Sequence, residues 1–213
     1  MGSGTLGCLQ LHLKLPELAG VVVTSSSVGH WGELPTFFHA CSVAFRFPGG
    51  LPIYMPEGYR NWFEYEPPSG SGVELIEMDK RLVASEWSVG ELRIAGEGDG
   101  QSMALAVGGS GVKIMYSSDM GAGWSPRADW RGVDLAMIEA TLGSEGKSEQ
   151  TDDRRRHMTA EDAGRLATEL EAKRLLVTHV SPKSYSETLR DCAAEWFSGP
   201  VDLASRNSAY HIE

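Results

Sequence analysis

Glycine sets the grain of this chain. Twenty-five glycines are spread over 213 residues, so its elements are short and joined by many tight turns. Two kinds of apolar run lie between them. The β-branched run Val21-Val22-Val23-Thr24 and the alternating run from Val112 to Tyr116 read as strands. Residues 51–55, 83–89, 92–94, 103–107, 133–140, 174–178 and 201–203 read the same way, as does Val73-Glu74-Leu75-Ile76. Helical spacing is expected over 8–14, 31–47, 159–172 and 186–197, and around Trp62, Phe63 and Tyr65. Thr159 is placed to cap the third of these, with Asp162 three residues on as an acidic capping box. Helices and strands interleave without repeats or a linker. The expectation is one α/β (α+β layered) domain over residues 1–213.

Composition removes several function classes. Hydrophobic residues make up 41% of the chain, with six Trp, six Tyr and six Phe, which excludes a disordered segment. Apolar stretches such as 18–23 fall far short of the roughly 20 residues of a membrane span, and no leader pattern opens the chain. Nineteen Lys+Arg against 29 Asp+Glu give a net charge of −10, which disfavours nucleic acid as a partner. Cys8, Cys41 and Cys192 are odd in number and far apart, as reduced thiols in a cytoplasmic protein would be.

His30, Asp119, His157 and His179 share a context. Each is expected just beyond a strand or just before a helix, and in α/β layers ligands gather at strand C-termini. Each also has an ordinary alternative as a turn former, a cap neighbour or a solvated side chain. His12, His39 and His211 lack this context.

Three motifs then carry a resemblance. Thr178-His179-Val180-Ser181-Pro182 follows an apolar strand. His157-Met158-Thr159-Ala160-Glu161-Asp162-Ala163-Gly164 opens a helix. Tyr116-Ser117-Ser118-Asp119-Met120-Gly121 follows another strand. In order and placement they resemble motifs of the metallo-β-lactamase superfamily, in its ribonuclease Z-like branch. Asp134 to Thr141 fits the strand between the last two motifs. The resemblance implies an αββα sandwich with an active site along one edge of two packed sheets.

The departures are as informative. The superfamily's Thr-His-x-His-x-Asp-His run is here Thr24-Ser25-Ser26-Ser27-Val28-Gly29-His30. Ser25 and Ser27 stand where two metal-binding histidines are expected, and Gly29 where an aspartate is. The segment 96–102 lacks a further expected histidine. One of the superfamily's two metal sites is thereby lost. The other retains His30, Asp119 and His179, two imidazoles and a carboxylate suited to zinc or ferrous iron. His157 matches a non-ligand histidine able to donate a proton.

Three functional readings follow. The first is a hydrolase using at most one metal ion, held by His30, Asp119 and His179, on an ester, amide or phosphoester of a small molecule. Asp119 would orient water and His157 would act as acid, over a pocket lined by Ser25, Ser27 and His30. The second is a metal-free enzyme repurposed for a biosynthetic cyclisation or isomerisation. The third is a non-catalytic pseudoenzyme. The basic residues Lys147, Arg154, Arg155 and Arg156 either attract an anionic substrate or form a solvated loop. Tyr59, Trp62, Phe63 and Tyr65 either roof the pocket or pack on the core. The strands that open related sequences are not recognised here, so an N-terminally shortened sandwich is expected. It would pair as a homodimer or with a strand-supplying partner.

Overall fold

The strands assemble into two sheets in a computed structural model that describes residues 1–83, 85–98, 101–144, 157–181 and 187–212. The smaller sheet is parallel, in the order β1 (Val21–Val22), β2 (Leu51–Pro56), β3 (Val73–Met78). The larger has seven strands. β4 (Glu86–Val89), β5 (Leu92–Gly98), β6 (Met103–Gly109) and β7 (Val112–Tyr116) form an antiparallel meander. β8 (Leu135–Glu139), β9 (Leu175–Thr178) and β10 (Val201–Leu203) continue it in parallel from β7.

Period-two alternation explains the layers. Along β6, Met103 and Leu105 face the smaller sheet, where they pack with Tyr54, Ile76, Trp87 and Ile94. Ala104 and Ala106 face the other way, into a core shared with α5 (Ala160–Glu169) and α6 (Thr188–Ala194). Along β2, Ile53 and Met55 point outward to α1 (Thr5–Leu9) and α3 (Leu34–Val43), burying Leu6, Leu34, Phe37 and Phe38. The result is helix, sheet, sheet, helix: the αββα sandwich.

Several elements differ from the sequence expectation. Residues 31–47 are not one helix, because the chain breaks between α2 (Val28–Trp31) and α3. Residues 83–89 divide between the short α4 (Lys80–Val83) and β4. The aromatic segment holds only a 3-10 turn, Tyr59–Asn61, and Phe63 is buried beneath α3 as core. Helix α5 carries the expected box: Thr159 Oγ1 accepts from Asp162 N at 3.1 Å and Thr159 N donates to Asp162 Oδ2 at 3.0 Å. It stops short of residue 172, where Glu171 takes a left-handed conformation (φ 51°). The basic residues 147 and 154–156 lie outside the described residues.

One edge of the sandwich collects the strand ends. β1, β7, β8 and β9 all finish there, and β5, parallel to β7, finishes there too. The stretch after β1 stitches the sheets together: Met103 N donates to Thr24 O at 2.7 Å and Ser26 N to Gln101 O at 2.9 Å.

Candidate active site

Four strand ends deliver the polar residues of the cluster, Glu139 and His157 coming from one crossover. His30 lies on α2, one turn past the end of β1; Asp119 follows β7; Glu139 ends β8; His179 follows β9; His157 precedes α5. Ser118 and His179 both hold left-handed backbone, at φ 52° and 51°. Such conformations are costly for these residues and persist where the surrounding structure holds them.

Asp119 is the centre. Its Oδ1 lies 3.0 Å from His30 Nε2 and 3.4 Å from His179 Nδ1, and its Oδ2 accepts from Ser25 Oγ at 3.2 Å. The side chains of His30 and Asp119 are each 8% exposed, that of His179 37%. Burial alone would raise the Asp119 pKa. The hydrogen bond from His30 and the charges of His30, His179 and His157 outweigh it and hold the carboxyl below its usual value. His30 Nδ1 contacts Thr24 Oγ1 at 3.2 Å, and Thr24 Oγ1 accepts from Ser118 Oγ at 2.9 Å. Tyr116 stands behind this chain; burial, then the nearby Asp119 charge, pushes its phenol up to about 12.

A second carboxylate lies deeper. Glu139 is fully buried, with Oε2 3.0 Å from His157 Nδ1 and accepting from Thr141 Oγ1. A buried carboxylate without donors is costly, and these two supply them. His157 thus donates from Nδ1 to Glu139. With its own proton on Glu139, Thr141 Oγ1 can accept from His179 Nδ1, 2.9 Å away. The rings of His157 and His179 stack, with centroids 6.1 Å apart; those of His30 and His179 are 5.2 Å apart.

The comparisons with known proteins agree with this layout. Residues 8–180 match the family model described as the beta-lactamase superfamily domain. The chain belongs to the metallo-β-lactamase superfamily. An uncharacterised protein of Mycobacterium leprae is 27% identical over 244 residues, spanning all of this chain and 76% of that protein. The metallo-β-lactamase fold protein YhfI of Bacillus subtilis superposes with a TM-score of 0.83 at 21% identity, covering 99% of this chain and 85% of that one. Human tRNase Z, short form, gives 0.68 at 19% identity, covering 100% and 86%.

Within this superfamily member, the structure brings His30, Asp119, His157 and His179 together. It also brings in Ser25, through its hydroxyl. Ser27 is different: the residue is exposed, and it joins the cluster through its backbone N–H, which donates to Ser25 Oγ at 3.1 Å. Ser102 joins the same side of the cluster, its hydroxyl donating to Ser25 Oγ at 3.3 Å. The donor atoms of His30, Asp119 and His179 lie within 4.8 Å of one another, so the set fits a single divalent ion. Glu139, His157 and His179 also lie within that distance, with Glu139 fully buried and accepting from His157 and Thr141.

Sequence reading missed Glu139, Thr141, Thr24 and Ser118 as site residues. Glu139 had a signal: a carboxylate ending the apolar strand Leu135–Glu139 must be paired if the strand is buried. The other three are short hydroxyl residues with no signal outside the fold.

Proposed function

We propose that this chain is a hydrolase working with one metal ion, zinc or ferrous iron, on an ester, amide or phosphoester bond of a small molecule. The observation that carries the reading is the division of labour between two carboxylates. Asp119 faces two imidazoles, of which His179 opens to solvent, while Glu139 is fully buried beside a third.

An ion held by His30, Asp119 and His179 would lower the pKa of water toward about 7 and polarise the substrate oxygen. The chain's own groups do the rest. Asp119 aligns the attacking water and draws on its proton. The Thr24 contact orients the His30 ring, and Thr141 orients His179. His157, as the imidazolium that the Glu139 carboxylate favours, gives a proton to the leaving oxygen or nitrogen and keeps its Nδ1 proton on Glu139. Ser25 and Ser102 give a neutral hydroxyl floor.

Metal analysis of the purified protein, before and after zinc or iron loading, tests this together with hydrolysis of 4-nitrophenyl acetate and bis(4-nitrophenyl) phosphate. The expected result is one ion per chain and chelator-sensitive hydrolysis. Failure to take up either metal in excess overturns it.

One observation favours a metal-free reading: Ser25 Oγ donates to Asp119 Oδ2, and Ser102 donates to Ser25. That chain satisfies the carboxylate without an ion. His30, Asp119 and His157 would then be acid–base groups for an isomerisation or cyclisation, and activity would survive chelation.

A further inference from the structure

A cavity of about 570 Å³ opens beside the candidate site, on the same edge of the sandwich. It lies where the ends of β2, β3 and β5 meet the start of β6, roofed by α4. Ser102 lines it. Two hydrogen bonds, Ser102 to Ser25 at 3.3 Å and Ser25 to Asp119 at 3.2 Å, separate its wall from the central carboxylate. The volume falls in the ordinary range for small-molecule pockets.

Its lining names the ligand chemistry. Pro56, Met78, Val83 and Met103 supply apolar walls, two of them polarizable thioethers that favour an aromatic ring. Glu97 also lines it, and among the described residues its Oε2 is buried with no hydrogen-bond partner. A buried carboxylate oxygen left without a donor is expensive, and a ligand that brings one recovers that cost. The surrounding charges are of both signs. Glu57 stands at the rim, and Arg127 is already paired to Asp129, through Nε at 3.0 Å and Nη2 at 2.8 Å. Two carboxylates, Glu57 and Glu97, and two cations, Lys80 and Arg127, line the cavity, and one of those cations, Arg127, is engaged by Asp129 outside the lining.

We propose that this cavity binds a small ligand with an apolar, ring-sized body and a positively charged amine, the ammonium docking on Glu97. That this ligand is the substrate rests on the hydrolase reading above, with the amine-bearing part in the cavity and the scissile bond over Asp119. Binding itself requires no turnover, so the two ideas fail separately.

The test uses benzylamine on the metal-free full chain, followed through the methyl resonances of Met78 and Met103, with benzoate as the control of opposite charge. Saturable shifts of both methyls by benzylamine are expected, with benzoate at least about tenfold weaker. Glu97→Gln should weaken benzylamine by about tenfold or more. Lys80→Gln, at an exposed position, should tighten it by about threefold by removing a like charge. The proposal falls if benzoate binds as well as benzylamine, or if neither methyl responds. It also falls if a folded Glu97→Gln protein binds benzylamine unchanged. Should Glu97→Gln not fold, an unchanged or weakened affinity in Lys80→Gln overturns it instead. Benzylamine binding in a protein that takes up no metal would leave the pocket standing and remove the hydrolase.

Discussion

The two halves of the site are built from opposite materials. On the side of β1 and β6, hydroxyls back the pair His30 and Asp119: Ser25, joined by Ser102, bonds Asp119, and Thr24, joined by Ser118, contacts His30. On the side of β8 and β9, a fully buried carboxylate is clamped by Thr141 and His157, with His179 alongside. The first half closes its hydrogen bonds with neutral hydroxyl donors. The second keeps a buried charge that only a retained imidazole and hydroxyl make tolerable. Each half has its own hydrogen-bond closure, so a substitution in one need not undo the other.

The largest effect that could break this contrast is on metal. His179→Ala should reduce bound metal from about one ion per chain to near zero, with affinity down at least about a hundredfold. Elemental analysis after gel filtration checks it, and full retention would mean His179 is not a ligand. Glu139→Gln comes next. It should keep the metal but lower kcat by about a hundredfold, because His157 loses its charged support. If metal content and kcat fell together, the two halves would not be separate.

Acid offers a smaller handle. The Asp119 carboxyl sits below its usual value of 3.8, so its contribution to folding is present above that value and lost as pH falls through the depressed folded one. In the metal-free protein, Asp119→Asn should flatten the fall in stability below about pH 4. An unchanged acid limb, followed by urea unfolding at stepped pH, would place the sensitivity elsewhere. Ser25→Ala should cost about 1 kcal/mol, or roughly 2–4 °C in Tm, since one hydrogen bond to Asp119 is lost. Under the hydrolase reading its metal stoichiometry stays the same; a large loss of metal would make Ser25 more than floor. Thr159→Ala, which only uncaps α5, is the control. It should lose a similar ~1 kcal/mol with kcat and metal unchanged, as thermal melts and rates would show.

The elements legible in the sequence are those whose cause is local. β7 runs Val112–Tyr116 and β10 Val201–Leu203, as their alternation and flanking turns dictate. The capping box at Thr159 needs only residues three apart. The break between α2 and α3 had local signals, Gly32 closing α2 and Pro35 in the first turn of α3, which the apolar spacing on either side outweighed in the reading. The aromatic segment misled for a related reason: Phe63 is bulky and apolar, but tertiary packing against Phe38 and Trp31, not helical periodicity, decides its place.

By itself, then, the sequence determined the order of strands and helices and put His30, Asp119, His157 and His179 near element ends, because propensity, capping and turn chemistry act over a few residues. What those ends meet was decided only by the tertiary structure. Ser25 reaches Asp119 across 94 positions and Ser102 across 77. Those meetings depend on the sheet order β10-β9-β8-β7-β6-β5-β4 and on the stitch between the sheets. The pairing of Glu139 with His157, and the unpaired oxygen of Glu97, are likewise properties of burial. Burial is a sum over distant neighbours, and no short window of sequence contains it.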